Sequence, residues 1–103
     1  MPTQLTLTHG RTTDGGTLLT VAGEIDMSNS TTLADAIDAV PGPLVVDLTD
    51  VEYLDSAGLN VLFVHAERLE LIATPLLQPV LTVSGLTRLV DVRLLPTDGS
   101  TTP

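Results

Sequence analysis

A serine between an aspartate and two small residues is the feature of this sequence with the clearest chemical potential. The segment Asp55-Ser56-Ala57-Gly58 follows an acidic stretch and opens a pattern typical of a helix. A hydroxyl at a helix N-terminus lies beside unpaired backbone N–H groups and the positive end of the helix dipole, both of which stabilise a phosphate. Ser56 is therefore a candidate phosphorylation site, and Ala57 and Gly58 would leave room for an approaching active site.

The same residues allow a simpler interpretation. Aspartate and serine are preferred N-cap residues, so Asp55 or Ser56 could serve only to begin the helix. Spacing alone leaves the two interpretations open.

Other chemistry is poorly supported by the residues around Ser56. The pattern Leu54-x-Ser56-x-Gly58 is half of a hydrolase nucleophile elbow, but the first glycine is missing and His65 is too near in sequence to reach back. The acidic stretch lacks the glycine and terminal glutamate of a calcium loop, and no glycine-rich phosphate loop with a lysine exists. We expect no catalytic residue, no cofactor and no metal site.

The elements that position Ser56 follow from the hydrophobic pattern. Residues Leu44 to Leu48 are apolar almost without alternation, which is typical of a strand covered on both faces and makes this the best candidate for the central strand. A polar loop from Thr49 to Asp55 is expected to lead into a helix that begins near Ser56 or Ala57.

Strands and helices alternate along the rest of the chain. An opening hairpin is followed by Gly23 to Asp26, which is expected to leave its second strand, and by a helix capped near Ser28 to Ser30. Later segments predict strands at 69–73 and 89–94, and a third helix with Pro75 in its first position. Pro79 would remove a helical N–H there, so this helix either starts later or has an irregular first turn. The order β-β-α-β-α-β-α-β predicts an α/β fold with a mixed, mostly parallel sheet and helices packed on it. One domain is expected over residues 1–95, with a disordered polar tail at 96–103.

The second predicted helix has two faces. Leu59, Leu62, Phe63 and Ala66 share one of them. Asn60, Val61, Val64 and His65 lie away from it. The two valines could form a patch that faces a partner, or they could be buried against a neighbouring element. His65 is expected to be a surface residue.

Charge and composition exclude several classes of partner. The formal net charge is −9, from 13 acidic and 4 basic side chains, so the surface should repel nucleic acid and anionic lipid. There is no cysteine, which excludes thiol chemistry. No apolar run approaches the length of a membrane span and the start has no leader pattern, so we expect a cytoplasmic protein without membrane insertion.

Two separated motifs, Gly23-Glu24-Ile25-Asp26 and Asp55-Ser56-Ala57-Gly58-Leu59 with the strand residue Asp47 before it, resemble the STAS family of anti-sigma factor antagonists over about residues 5 to 95. The resemblance implies that the unmodified protein captures an anti-sigma factor with a serine-kinase fold and so releases a sigma factor. Phosphorylation of Ser56 would end the capture, and a serine phosphatase would act on phospho-Ser56. The resemblance makes Asp26, Asp55 and Ser56 partner-binding residues. The pattern of the second helix adds Ala57, Gly58, Asn60, Val61 and Val64 to the expected partner-binding set.

Two other functions use the same fold. A STAS domain can be a subunit of a membrane ABC lipid-transport complex or of a stress-signalling assembly, and either would bind partners without a phosphorylation cycle. The Asp55-Ser56 pair favours the switch, because a purely structural contact has no need of a hydroxyl at that point.

Overall fold

Five strands form one mixed sheet in the computed structural model, which describes residues 4–95. The strands are β1 (Thr6–Arg11), β2 (Thr17–Ile25), β3 (Leu44–Leu54), β4 (Leu69–Ala73) and β5 (Asp91–Leu94). They lie side by side in this order, with β1 antiparallel to β2 and the other neighbours parallel. The predicted element order and the central place of β3 are confirmed. The tail predicted for 96–103 lies outside the described residues.

Three helices alternate with the parallel strands. They are α1 (Ser30–Asp38), α2 (Ser56–Val64) and α3 (Gln78–Val83), and two 3-10 turns, Ala66–Arg68 and Leu86–Arg88, complete the connections. None of the helices within residues 4–95 has the length and apolar content that crossing a bilayer requires.

The helices pack on one face of the sheet. Leu33 of α1, Leu62 of α2 and Leu81 of α3 are fully buried in the same cluster as Leu19 and Val46 of the strands. Each such side chain stabilises the fold by about 1.5–3 kcal/mol relative to exposure. The alternate residues of β3 are less enclosed. The expectation that this strand is covered on both faces is therefore only half right, because Val45 and Asp47 are partly buried.

The central strand continues further than its apolar run. Thr49 to Leu54, predicted as a loop, belong to β3, and Gly23 to Ile25, predicted to leave β2, belong to that strand. These two polar stretches pair with each other across two register shifts, with Glu24 opposite Tyr53 and Ile25 opposite Leu54. Both predictions were wrong because the backbone hydrogen bonds of each stretch are made to the other, which no local pattern reveals.

The third helix begins later than Pro75. Thr74 to Leu77 form a turn, in which the Leu77 N–H donates to the Thr74 carbonyl at 3.0 Å, and α3 starts at Gln78. Pro79 then lies in the first helical turn, where its missing N–H is tolerated. Of the two alternatives that Pro79 left open, the later start is the one observed. β5 also starts two residues later than expected, after the 3-10 turn.

Two side chains from the segment after α2 tie it to the end of α1. The Arg68 guanidinium donates to the Ile37 and Gly42 carbonyls, each at 2.6 Å. The His65 ring lies 2.8 Å from Asp38 Oδ1 through Nε2. The His65 side chain is 12% exposed, so it is partly buried, whereas the sequence favoured a surface position over a catalytic one. Its position is fixed by α1, which lies far from it in sequence.

Candidate functional site

The candidate site lies where β2 and β3 end at the same edge of the sheet. Ile25 and Leu54, the last residues of the two strands, are paired, and the next N–H, that of Asp55, donates to the Ile25 carbonyl at 3.1 Å. The β2–α1 loop, which begins at Asp26, and the start of α2 therefore lie side by side. Partner and ligand sites favour this edge in open α/β sheets.

Asp55 joins the two loops with one carboxylate. Its Oδ1 accepts hydrogen bonds from the Ala57 N–H at 2.9 Å and the Gly58 N–H at 3.1 Å, which makes Asp55 the N-cap of α2. Its Oδ2 accepts from the Met27 N–H of the neighbouring loop at 3.2 Å. The helix start and the β2–α1 loop are thus held in fixed relation by this side chain.

Ser56 is the first residue of α2 and is exposed. Since Asp55 supplies the cap, the Ser56 hydroxyl is not used to begin the helix. Among residues 4–95 it makes no side-chain hydrogen bond. An incoming group could therefore reach this hydroxyl without breaking a contact.

Gly58 is small for a reason inside the protein. A Cβ at this position would lie 2.6 Å from Ile25 Cγ2 and 2.6 Å from Leu54 Cδ1, so α2 approaches the ends of β2 and β3 as closely as glycine allows. Gly58 is buried. The expectation that Gly58 leaves room for an approaching partner is wrong, because that space is filled by the protein's own core. Ala57, partly buried, keeps some access.

The two valines of α2, which could either face a partner or be buried, differ in the structure. Val61 is only 8% exposed and belongs to the core cluster, whereas Val64 is 70% exposed. Ser56, Asn60 and Val64 are all exposed and recur every fourth residue, so they line one side of the helix. We call these three residues the α2 stripe. Val61, predicted to face a partner, is excluded from it.

Met27 extends the exposed surface beside Ser56, and the sequence interpretation missed it. Its side chain is 80% exposed, and its N–H bonds to Asp55, the residue before Ser56. Its place beside Ser56, rather than its exposure alone, makes Met27 a candidate contact for a partner. The available signal was a lone methionine within the polar run Asp26 to Ser30.

Asp26 lies on the same loop and is held by local hydrogen bonds. Its Oδ1 accepts from the Ser28 N–H at 2.9 Å and the Ser28 hydroxyl at 2.5 Å. Asn29 closes the loop, because its Oδ1 accepts from the Asp26 N–H and its Nδ2 donates to the Glu24 carbonyl, both at 2.9 Å. A loop fixed in this way loses little further freedom when a partner binds.

The electrostatics of this edge are one-sided. Asp26, Asp50, Glu52 and Asp55 lie on the terminal segments of β2 and β3 or just after them. Of the four arginines, Arg11 lies at the end of β1, next to the start of β2 and away from the site. Arg68 and Arg88 precede β4 and β5. Arg93 lies within β5, at the far side of the sheet. Acidic side chains therefore gather where β2 and β3 end, whereas the arginines of residues 4–95 lie on other parts of the sheet, so the site should attract a basic surface.

The acidic residues do not form a metal site. Within the described part of the chain, no three His, Asp or Glu side chains gather closely enough to hold an ion. Asp14 lies in the β1–β2 turn, at the other end of these strands. A hydrogen bond from the Thr12 hydroxyl, followed by one from the Gly16 N–H, holds the pKa of Asp14 below its ordinary value.

Sequence comparison identifies relatives of this chain. A family model described as "Mlab, STAS domain" matches residues 9–95. The Anti-sigma-F factor antagonist RsfB, from two strains of Mycobacterium tuberculosis, is 38% identical over 60 residues, which cover 54% of this chain and 49% of RsfB. The chain thus spans about half the length of the curated relatives it matches.

Comparison with solved structures agrees. The crystal structure of an anti-sigma factor antagonist from Mycobacterium paratuberculosis superposes with a TM-score of 0.81 at 31% identity, covering 90% of this chain and 88% of that one. A Thermotoga maritima structure, at 16% identity and a TM-score of 0.64, covers 84% of this chain and 85% of that chain and shows the same fold. The chain therefore belongs to the STAS-domain family of anti-sigma factor antagonists.

Proposed function

We propose that this protein binds an anti-sigma factor through Met27 and the α2 stripe, and that phosphorylation of Ser56 ends the binding. The proposal rests on the different roles of two neighbouring residues at the start of α2. Asp55 provides the cap, and Ser56 stands exposed with an unused hydroxyl inside the candidate surface. The names of RsfB and of the Mycobacterium paratuberculosis protein support a role as an anti-sigma factor antagonist.

In the unmodified state, the surface offers the two kinds of contact that interfaces combine. Met27 and Val64 present exposed apolar groups, and between them the Ser56 hydroxyl and the Asn60 amide present polar ones. Apolar anchors surrounded by polar groups are typical of protein interfaces. Asp26, on the rigid loop beside them, would meet a basic group of the anti-sigma factor.

Phosphorylation would change the charge of this surface more than its shape. A phosphate adds about −1.5 to −2 charges at pH 7. The N–H groups of Ala57 and Gly58, which could otherwise bind it, already donate to Asp55. The phosphate would therefore project outward beside a carboxylate, towards the partner. A penalty of about 3 kcal/mol, from burying a charged phosphate against a surface that fits a neutral hydroxyl, lowers affinity by more than a hundredfold.

The partner that fits this cycle is an anti-sigma factor with a serine-kinase fold, since it would both bind Ser56 and phosphorylate it. The Ser56 oxygen attacks the γ-phosphorus of ATP, the bond to the β-phosphate oxygen breaks, ADP leaves, and the hydroxyl proton passes to a base of the kinase. A serine phosphatase acting on phospho-Ser56 would reset the switch. Nothing in this sequence of events requires a catalytic group on the antagonist.

The direct test uses mass spectrometry and binding together. The protein is incubated with ATP and candidate anti-sigma kinases from the same genome, and phosphate is expected on Ser56 of the wild type and absent from Ser56→Ala. Complex formation is then measured for Ser56→Glu, which should bind at least about tenfold more weakly. Thr82→Glu, which adds the same charge at an exposed site on α3, is the control and should bind as the wild type does.

Two outcomes would redirect the interpretation. Phosphorylation of Ser56 without loss of binding in Ser56→Glu would contradict the charge mechanism. No phosphorylation by any candidate, together with unchanged binding of Ser56→Glu, would contradict the switch and favour a constitutive subunit of a lipid-transport complex or a stress-signalling assembly.

A further inference from the structure

The outer edge of β5 is open. Among residues 4–95 the sheet ends at β5, and no strand pairs with its outer side. The Leu95 N–H donates to the Ala73 carbonyl of β4 at 2.7 Å. Because backbone groups alternate in direction along a strand, the odd-numbered residues of this segment point their N–H and C=O groups at β4, and Val92 and Leu94 point theirs outward. An edge of this kind can pair with another chain.

The sequence of this edge is complementary to itself in one antiparallel register. With Val92 opposite Val92 of a second copy, the outward-pointing residues meet as hydrogen-bonded pairs. Asp91 then lies opposite Arg93 of the other copy, twice by symmetry, as non-hydrogen-bonded pairs whose side chains approach most closely. The next permitted registers on either side place Asp91 opposite Asp91 or Arg93 opposite Arg93. Charge therefore favours the register with Val92 opposite Val92 over the two adjacent permitted registers.

Within the single chain, Asp91 lies opposite another carboxylate. It pairs in register with Glu70 of β4, so two carboxylates share one face of the sheet. Arg93 is bonded to Glu70 at 3.0 Å, with both side chains substantially exposed. Like charges directly opposite each other on a sheet are unfavourable. Arg93 of a second copy would place a cation beside Asp91, so that each of the two carboxylates would have an arginine partner.

Apolar side chains border the same edge. A groove of about 350 Å³ runs between α3 and β5, and its lining includes Leu81, Val90, Val92 and Leu94. Leu94 and Leu95 are each 40% exposed. In the selected register Leu94 of the second copy lies opposite Val90, at the border of this groove. The paired edge would bury apolar surface on one side of the sheet and form ion pairs on the other.

The other edge of the sheet does not share this property. β1 contains His9 and Arg11 and no acidic residue, so self-pairing would oppose only neutral or positive side chains. Charge of that kind protects an edge from self-association. The contrast assigns self-pairing to β5 alone of the two edges.

We propose that two copies of this chain pair antiparallel through β5, with Val92 opposite Val92 and Asp91 opposite Arg93. The paired segment is only a strand of four residues, so the dimer is transient and forms at high protein concentration. The α2 stripe remains free, because β4 separates β5 from β3, at whose end α2 begins.

Charge reversal tests the register directly. In sedimentation velocity at up to about 1 mM protein, where an association with a dissociation constant of that order is visible, the wild type should show a monomer–dimer equilibrium. Asp91→Arg and Arg93→Asp should each weaken it at least about tenfold, because like charges then meet. The double variant Asp91→Arg/Arg93→Asp should restore it. A mixture of the two single variants should form heterodimers, since one then carries two cations and the other two anions.

Asp35→Arg on α1 and Arg11→Asp on β1 make the same charge changes at exposed positions elsewhere and should leave the equilibrium unchanged. Thermal unfolding of every variant checks that the fold is intact. A wild type that stays monomeric at about 1 mM would overturn the proposal. A dimer that Asp91→Arg leaves intact, or single variants that do not associate when mixed, would overturn it as well.

Discussion

At the residue scale, Gly58 shows how tightly α2 is seated on the sheet. Gly58→Ala should lower the free energy of unfolding by about 1–2 kcal/mol, since the new methyl would overlap the fully buried Ile25. This loss outweighs the roughly 1 kcal/mol that alanine gains over glycine in a helix. Urea unfolding measures the change. Gly10→Ala, where a Cβ meets no atom within 4 Å, is the control, and equal stability of both variants would contradict the packing argument.

Asp55 carries a second prediction at this scale. Asp55→Ala should cost about 1–2 kcal/mol of stability, because two helix N–H groups lose their acceptor and the Met27 N–H loses another. Asp55→Asn should cost less, because its amide oxygen can still cap the helix.

Urea unfolding gives these free energies, and hydrogen exchange at Met27, Ala57 and Gly58 reports the contacts themselves. Asp50→Ala, at an exposed position nearby, is the control. Faster exchange confined to Ala57 and Gly58 would show that Asp55 does not hold the β2–α1 loop.

At the element scale, Arg68 connects the segment after α2 to the end of α1. Arg68→Ala should lower the free energy of unfolding by about 1–2 kcal/mol, a value reduced from that of two charged hydrogen bonds because the side chain is only partly buried. Arg68→Lys should recover little, since one ammonium group does not reach two carbonyls in the way a planar guanidinium does. Chemical unfolding of both variants, with the exposed Arg88→Ala as control, measures this. Full recovery by lysine would show that charge, not geometry, matters.

At the scale of the whole molecule, the separation of charge predicts how a partner arrives. The site edge is acidic and the arginines lie elsewhere, so the association rate with the anti-sigma factor should fall about tenfold or more from low to high ionic strength. The dissociation rate should change much less. Stopped-flow kinetics at several salt concentrations measures both rates. Asp26→Asn should reduce the salt dependence, and Asp14→Asn in the β1–β2 turn should not. An association rate independent of salt would contradict electrostatic steering.

The sequence by itself determined the element order and the position of Ser56. Hydrophobic periodicity, the proline-rich stop after α1 and the capping residues before α2 are local signals, and local backbone preferences follow from them. The apolar run Leu44 to Leu48 likewise marked the central strand. Two separated motifs, occurring in the order found in STAS proteins, were enough to place the chain in its family. Each motif lies at the end of a strand, beside the candidate site.

Only the tertiary structure decided which residues reach the surface. Val61 and Val64 are alike in sequence, yet one packs into the core and the other is exposed, because neighbouring elements cover only one of them. The hydrogen bond from the Met27 N–H to Asp55 places Met27 beside the site. Close packing against Ile25 buries Gly58 and removes it from the exposed surface. Both contacts link distant parts of the chain. Burial and hydrogen bonding between distant segments depend on how the strands pair, and pairing across register shifts leaves no local pattern in the sequence.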